Sequence, residues 1–301
     1  MCEVIEVIEV NYLTKDYGGH KGIFDLSLSI KKGEVYGFIG PNGAGKSTTM
    51  RHMMGFSRAD NGNVTIKNLD SWKDKEKIKE FTGYLAGEIA LPNDMTGLQY
   101  LKLISKMRKM QSFDYAEELL KYFKINPNAG IKKMSKGMKQ KIAIVATFMH
   151  DPDIILLDEP TSGLDPLMQE RFIDLVEKEK QNGKTIFLSS HIFDEVSKVC
   201  DRVGIVKEGN LIKELDMDSL RNNEEKTYIV KFKDDEDLSK MANLYDDSSI
   251  VNEKELLIKV SDSDINEFIS DLSNCDLVYL KEKEESLEEY FMKFYEGDVI
   301  D

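Results

Sequence analysis

The sequence predicts an α/β fold on a mainly parallel sheet, followed by a smaller α+β unit. Three observations carry this. Strand-like and helix-like segments alternate through the first 215 residues. Three short apolar runs each end in glycine or polar residues, as parallel strands do where ligands bind at their carboxyl ends. Charge then shifts abruptly: residues 216–301 hold 25 acids and 10 bases, against 30 and 31 in residues 1–215. The expected organisation is therefore a domain over 1–215 and an acidic accessory domain over 216–301.

Taken in order, VYGFIG (35–40), DIILLDE (153–159) and KTIFLSSH (184–191) read as buried strands. Between the first two, residues 91–150 read as mostly helical. The apolar spacing of LQYLKLISKMRKM and YAEELLKYFKI is that of helices, and NPNAG breaks them. An insert of this size implies a helical subdomain. In the tail, TYIVKF, EDLSKMANLY, SIVNEKELLIKV, DINEFISDLS and CDLVYL give strand, helix, hairpin, helix and strand. That is the split βαβ, or ferredoxin-like, order. A last helix over 287–295 opens on a capping box from Ser286 to Glu289.

Composition narrows the class. With 301 residues, 41% hydrophobic and 32% charged, the chain suits a globular protein with a full core. No apolar run approaches the ~18 residues of a membrane span. The opening MCEVIEVIEV carries acids where a signal peptide needs bases, and Cys2, Cys200 and Cys275 lack metal-type spacing. A cytoplasmic location is expected. The net charge of −14, concentrated in the tail, argues against nucleic acid as a partner.

The motif GPNGAGKST runs from Gly40 through Pro41, Asn42, Gly43 and Ala44 to Gly45, Lys46, Ser47 and Thr48. It matches the phosphate-binding loop and sits after a strand and before a helix, where that loop must sit. Its glycines let backbone N–H groups close around phosphate at a helix N-terminus. Lys46 supplies a point charge for the β- and γ-phosphates, and the Ser47 hydroxyl can ligate Mg²⁺. The run IILLDEP then brings Asp158 to a strand end to hold the Mg²⁺ shell, with Glu159 beside it as a general base for water. Alone, Asp-Glu after an apolar strand is an ordinary terminus; paired with the loop, it is a hydrolytic site.

The segment KKMSKGMKQK, Lys132 to Lys141, packs five lysines into ten residues before the apolar IAIVATF. Ser135 reads as a helix N-cap. Lys136, Gly137 and Lys139 then fill the first turn, where the helix dipole disfavours cations and glycine weakens the helix. Read singly, these are a cap and a solvated basic face; together they suggest an anion docking there. With SGLD (Ser162 to Asp165) and His191 downstream, the order and spacing of motifs over residues 4–215 resemble the ATP-binding-cassette (ABC) ATPase family.

The resemblance implies a P-loop NTPase core with an N-terminal antiparallel β portion, using ATP and Mg²⁺. It implies that Ser135 and Gly137 meet the γ-phosphate of ATP held by an opposing protomer, a second copy or a related subunit. His191 would hydrogen-bond the γ-phosphate, Asp165 would lie at the dimer contact, and Tyr17 would stack on adenine. Two positions depart from the pattern. The usual Leu-Ser-Gly-Gly-Gln reads Met134-Ser135-Lys136-Gly137-Met138 here, and Gly87 stands where a glutamine usually touches Mg²⁺ and the membrane partner. Either Glu88 substitutes as a ligand or that contact is missing.

The function expected is the ATP-hydrolysing subunit of an ABC transporter, similar to drug- and bacteriocin-type exporters, peripheral on the inner face of the membrane through a separate permease. The alternative is a soluble ABC ATPase with a regulatory or assembly role. A P-loop kinase or GTPase would not need Ser135, Asp165 and His191 in this order, and no guanine-selective Asn-Lys-x-Asp motif is present.

Overall fold

A computed structural model describes residues 5–221, 225–245, 247–252 and 254–283. The chain divides into two compact units, Met1–Met217 and Asp218–Asp301. The division falls two residues beyond the charge shift.

The first unit opens with β1 (Glu6–Asp16) and β2 (Gly22–Lys31), an antiparallel pair whose alternation buries Ile8, Val10, Leu26 and Ile30. Next come β3 (Val35–Ile39), buried throughout, and α1 (Lys46–Met53). The strands β4 (Asn61–Ile66) and β5 (Leu69–Asp70) complete a sheet of order β2-β1-β4-β5, the antiparallel portion that the resemblance implies. After α2 (Lys75–Phe81) comes β6 (Thr82–Leu85), a core strand the sequence did not announce.

The helical insert follows as α3 (Gly97–Met107), α4 (Asp114–Tyr122), a 3₁₀ turn at Ile131–Lys133 and α5 (Lys136–Phe148). A capping box fixes the start of α3: Gln99 N donates to Thr96 Oγ1 at 3.2 Å and Thr96 N to Gln99 Oε1 at 2.8 Å. The chain then returns to the core through β7 (Ile154–Asp158), α6 (Pro166–Gln181), β8 (Thr185–Ser190), α7 (Phe193–Val199), β9 (Arg202–Lys207) and β10 (Asn210–Asp216). The second sheet has the order β10-β9-β3-β8-β7-β6, and only β10 runs antiparallel to its neighbour. The carboxyl ends of β3, β7 and β8 therefore lie side by side, which places the site. Among the described residues no helix is long and apolar enough to cross a membrane.

A short α8 (Met217–Arg221) crosses the division, and the second unit continues with β11 (Glu225–Phe232), α9 (Asp235–Leu244), β12 (Ser248–Asn252), β13 (Glu255–Ser261), α10 (Ile265–Leu272) and β14 (Leu277–Lys283). Its sheet order β12-β13-β11-β14, antiparallel at every pairing, is the ferredoxin-like arrangement that the element order predicts. Val230, Phe232, Leu256, Ile258 and Phe268 form its core. The helix expected over 287–295 lies outside the described residues.

One half-buried polar cluster ties the insert to the core sheet. Arg108, just past α3, donates to Lys79 O at 2.5 Å and Thr82 O at 3.2 Å, and His150 Nε2, just past α5, sits 3.4 Å from Thr82 O. Burial, with the Arg108 charge, lowers the His150 pKa from 6.5 to about 4. The unfolded chain takes up this proton first as pH falls, so the stability that depends on neutral His150 is lost between about pH 6.5 and 4. Thermal unfolding of His150→Gln should vary less over that window than wild type. Equal slopes would remove His150 from the acid response.

Candidate functional site

The loop Gly40–Thr48 joins β3 to α1. Gly43 and Gly45 have left-handed backbones, φ 85° and 107°, and a Cβ on Gly45 would lie 2.7 Å from Ile23 Cγ2. Gly45 caps α1 with no side-chain acceptor, and no acid occupies the first turn. The helix thus presents free N–H groups and its positive end to an anion. Lys46, only 6% exposed, donates from Nζ to Gly40 O at 2.6 Å and Pro41 O at 3.3 Å, and lies 3.1 Å from Glu159 Oε1. Pro41, Asn42 and Gly43 are exposed, Ala44 is buried, and Ser47 and Thr48 are half-buried.

Asp158 and Glu159 face different ways because the chain turns between them. Asp158 ends β7 and is 2% exposed; its Oδ1 accepts from Ser189 Oγ, 2.7 Å away on β8. Glu159 adopts a left-handed backbone at φ 49°, and its N–H donates to Ser189 O at 3.2 Å. Such a conformation costs a non-glycine residue about 1–2 kcal/mol and turns the side chain toward the loop. There Glu159 Oε2 meets His191 Nδ1 at 2.5 Å, so Lys46, Glu159 and His191 form one connected group.

Asp158 Oδ2 faces Gly87: a Cβ on that glycine would sit 3.2 Å away. A side chain at position 87 would therefore crowd the carboxylate. Glu88 instead lines a groove of about 1020 Å³ with Phe56, Tyr84, Tyr100, Ile104 and Met107. Among the described residues no three His, Cys, Asp or Glu side chains gather as a metal cluster. The oxygen donors of Ser47 and Asp158 suit Mg²⁺, whose remaining positions phosphate oxygens and water would fill. Tyr17 follows β1 and is 56% exposed, its N–H donating to Lys21 O and its ring 5.7 Å from Lys15 Nζ.

The signature segment lies on the insert. Ser135 caps α5 by accepting from Met138 N at 3.2 Å, and Gly137 is in the first turn. Asp165 likewise caps α6, accepting from Met168 N at 3.2 Å with Pro166 following. Both residues thus have the ordinary capping role. It does not prevent their exposed neighbours from meeting another molecule.

Two residues behind the site have no motif to announce them. Gln140, 1% exposed, donates from Nε2 to Pro160 O at 2.6 Å. Glu195, 7% exposed, accepts from Thr161 Oγ1 at 2.8 Å and from Ser190 Oγ at 3.3 Å. It bridges the loop after Glu159 to the strand end before His191. A Glu four residues after a strand-ending histidine was the available signal, and it is weak in one sequence.

The family described as ABC transporter matches residues 23–162. The bacitracin transport ATP-binding protein BcrA of Bacillus licheniformis is 29% identical over 98% of this chain and 99% of its own. The ABC transporter ATP-binding protein NatA of Bacillus subtilis is 38% identical over 68% of this chain and 85% of its own. Among solved structures, a dimeric ATP-binding cassette in a post-hydrolysis state with ADP and phosphate is 25% identical. It superposes with a TM-score of 0.64, covering 70% of this chain and 98% of that one.

Burial is the first cause that raises the Glu195 pKa above 4.5, opposed by the Thr161 and Ser190 hydroxyls and reinforced by the Glu159 charge. The folded state therefore holds this proton more tightly than the unfolded chain, and stability falls as pH rises from about 4.5 through the raised value. Glu195→Gln should gain thermal stability over wild type at neutral pH and lose that advantage in acid. A difference in Tm that does not change with pH would refute the assignment.

Proposed function

The chain belongs to the ABC transporter ATP-binding proteins, and from that membership we propose that it pairs around ATP and Mg²⁺ to drive a separate permease of the drug- and bacteriocin-exporting kind. It is an ATPase, the ATP-binding subunit of a transporter. One observation carries the proposed chemistry: Lys46, Glu159 and His191 converge beside Asp158 on adjacent strand ends.

ATP binds with its phosphates in the Gly40–Thr48 loop and its adenine against Tyr17. The phosphates compete for Lys46 with the Gly40 and Pro41 carbonyls and with Glu159. Ser47 and Asp158 would hold Mg²⁺, which would supply neutralisation of the phosphate charge. Ser135 and Gly137 of the opposing protomer cap the γ-phosphate, with Asp165 at the contact between the two chains. Glu159, oriented by His191, takes the proton of the attacking water. The new bond forms at the γ-phosphorus as the bridging bond to ADP breaks, releasing ADP and inorganic phosphate.

Glu159→Gln should bind ATP normally, lose at least ~10²-fold in hydrolysis and accumulate as an ATP-dependent dimer in size exclusion. Unchanged steady-state ATPase would remove Glu159 as the base. Ser135→Arg should leave ATP binding by the single chain intact and abolish hydrolysis. Persisting hydrolysis would make Ser135 a helix cap only.

Several features support the permease. The groove beside Glu88 is floored by Tyr84, Tyr100 and Ile104 and flanked by exposed Phe56 and Met107, with Glu76, Glu80, Lys79 and Lys109 around it. An apolar floor with a charged rim fits a short amphipathic segment of a membrane protein. Named relatives transport bacitracin or confer linearmycin resistance, and the bacitracin relative matches through the acidic tail as well as the cassette. The reading places the chain on the cytoplasmic face of the membrane. The full chain drawn from detergent extract should carry a multi-spanning protein with it, and Met107→Glu should release that partner. Repeated absence of such a partner would favour the soluble ATPase.

A further inference from the structure

Lys136 is anomalous: it stands at the first position of α5, where a cation is opposed by the helix dipole by about 0.3–1 kcal/mol. Its contacts account for its presence. Lys136 Nζ donates to Ser162 Oγ at 2.9 Å. Its stem lies across Gly163, so that a Cβ on that glycine would come within 3.1–3.3 Å of Lys136 Cδ, Cγ and Cε. The next residue touches the same loop, for a Cβ on Gly137 would lie 2.6 Å from Gly163 O. One turn on, Gln140 Nε2 holds Pro160 O at 2.6 Å. Residues 136, 137 and 140 share one face of α5, and that face meets 160, 162 and 163. The loop then ends at Asp165, the cap of α6.

We propose that Lys136 is a positioning residue, which holds the loop Ser162–Asp165 against the first turn of α5 so that Ser135, Gly137 and Asp165 meet an opposing protomer as one body. The proposal rests on the reading that Ser135 and Gly137 act on the opposing protomer's ATP. The two motifs lie on different parts of the fold, the helical insert and the core. Without a tether each would be ordered separately when the dimer closes, and each would cost conformational entropy. With it, docking one element docks the other. The stem of Lys136 also covers Gly163, whose φ of 82° leaves that turn without a side chain of its own. The ammonium then tethers Ser162 and is spent on its own chain rather than on a distant phosphate.

The test uses the full chain in the Glu159→Gln background, which binds ATP without turning it over. A single exposed contact of this kind is worth a few tenths of a kcal/mol to ~1 kcal/mol, and a two-fold dimer contains it twice. Lys136→Met keeps the stem and removes the charge; it should weaken ATP-driven dimerisation by about three- to thirtyfold in sedimentation with unchanged ATP affinity in the single chain. Ser162→Ala should do the same, the double variant should be no worse than either alone, and Lys136→Arg should restore dimerisation. In the isolated chain, Lys136→Met should speed amide exchange at 162–165 and leave 40–48 unaltered. Additive effects of the two substitutions, or unchanged exchange at 162–165, would overturn the tether. Faster exchange at 162–165 together with ATP-driven dimers that tolerate Ser135→Arg would keep the tether and overturn the capping reading instead.

Discussion

The site depends on one constraint: three parallel strands, β3, β8 and β7, end together at one edge of the sheet. Parallel pairing puts Ile39 opposite Ser190 and Asp158 opposite Ser189. The phosphate loop, the acidic pair and His191 are thereby delivered to one place from three distant stretches of chain. The hydrogen bond from Ser189 Oγ to Asp158 Oδ1 fixes the arrangement at its centre. A carboxylate 2% exposed is costly to bury without such a partner. One oxygen is satisfied from the neighbouring strand, and the other lies beside Gly87.

Much of this was legible because each motif has a local signature. A glycine-rich loop between an apolar strand and a helix, and an Asp-Glu pair after four apolar residues, need no tertiary knowledge to read. The tail was legible by element order alone, since βαββαβ admits few sheets. What escaped was whatever depends on packing. The strand β6 is four residues long with a glycine inside it, and that glycine is there because a Cβ would lie 2.6 Å from Thr147 O of α5. Glu195 and Gln140 serve loops some 20 to 34 residues away in sequence, a relation no spacing rule encodes. The lysines around Ser135 illustrate the opposite difficulty. Their pattern was visible, yet Lys136 is turned toward Ser162 and Gly163, which only the fold brings near.

The departure at Gly87 acquires a physical sense in the fold. Glycine there lets the backbone pack close against the Asp158 carboxylate, while the adjacent Glu88 belongs to the groove. Tyr84 also lines that groove, and burial together with the Asp158 charge raises its hydroxyl pKa to about 12. Groove and carboxylate are thus electrostatic neighbours through the strand β6 and the residues just after it. A partner seated in the groove would press on the segment that borders Asp158 without any side chain at position 87.

The same economy governs the catalytic carboxylate. Glu159 is held by two groups, Lys46 at 3.1 Å and His191 at 2.5 Å, and each is a group that phosphate oxygens also attract. Any anion that draws Lys46 toward the loop lowers the cation's hold on Glu159 Oε1, an atom with no hydrogen-bond donor of its own. On the proposed mechanism the carboxylate would keep its His191 contact while one oxygen turned to an attacking water. Phosphate and the proposed base would then compete for one ammonium group. That competition needs no moving domain: the left-handed backbone at Glu159 already directs the side chain into the loop. On the proposed mechanism, closure against a second protomer would then act on a base that nucleotide binding had already freed.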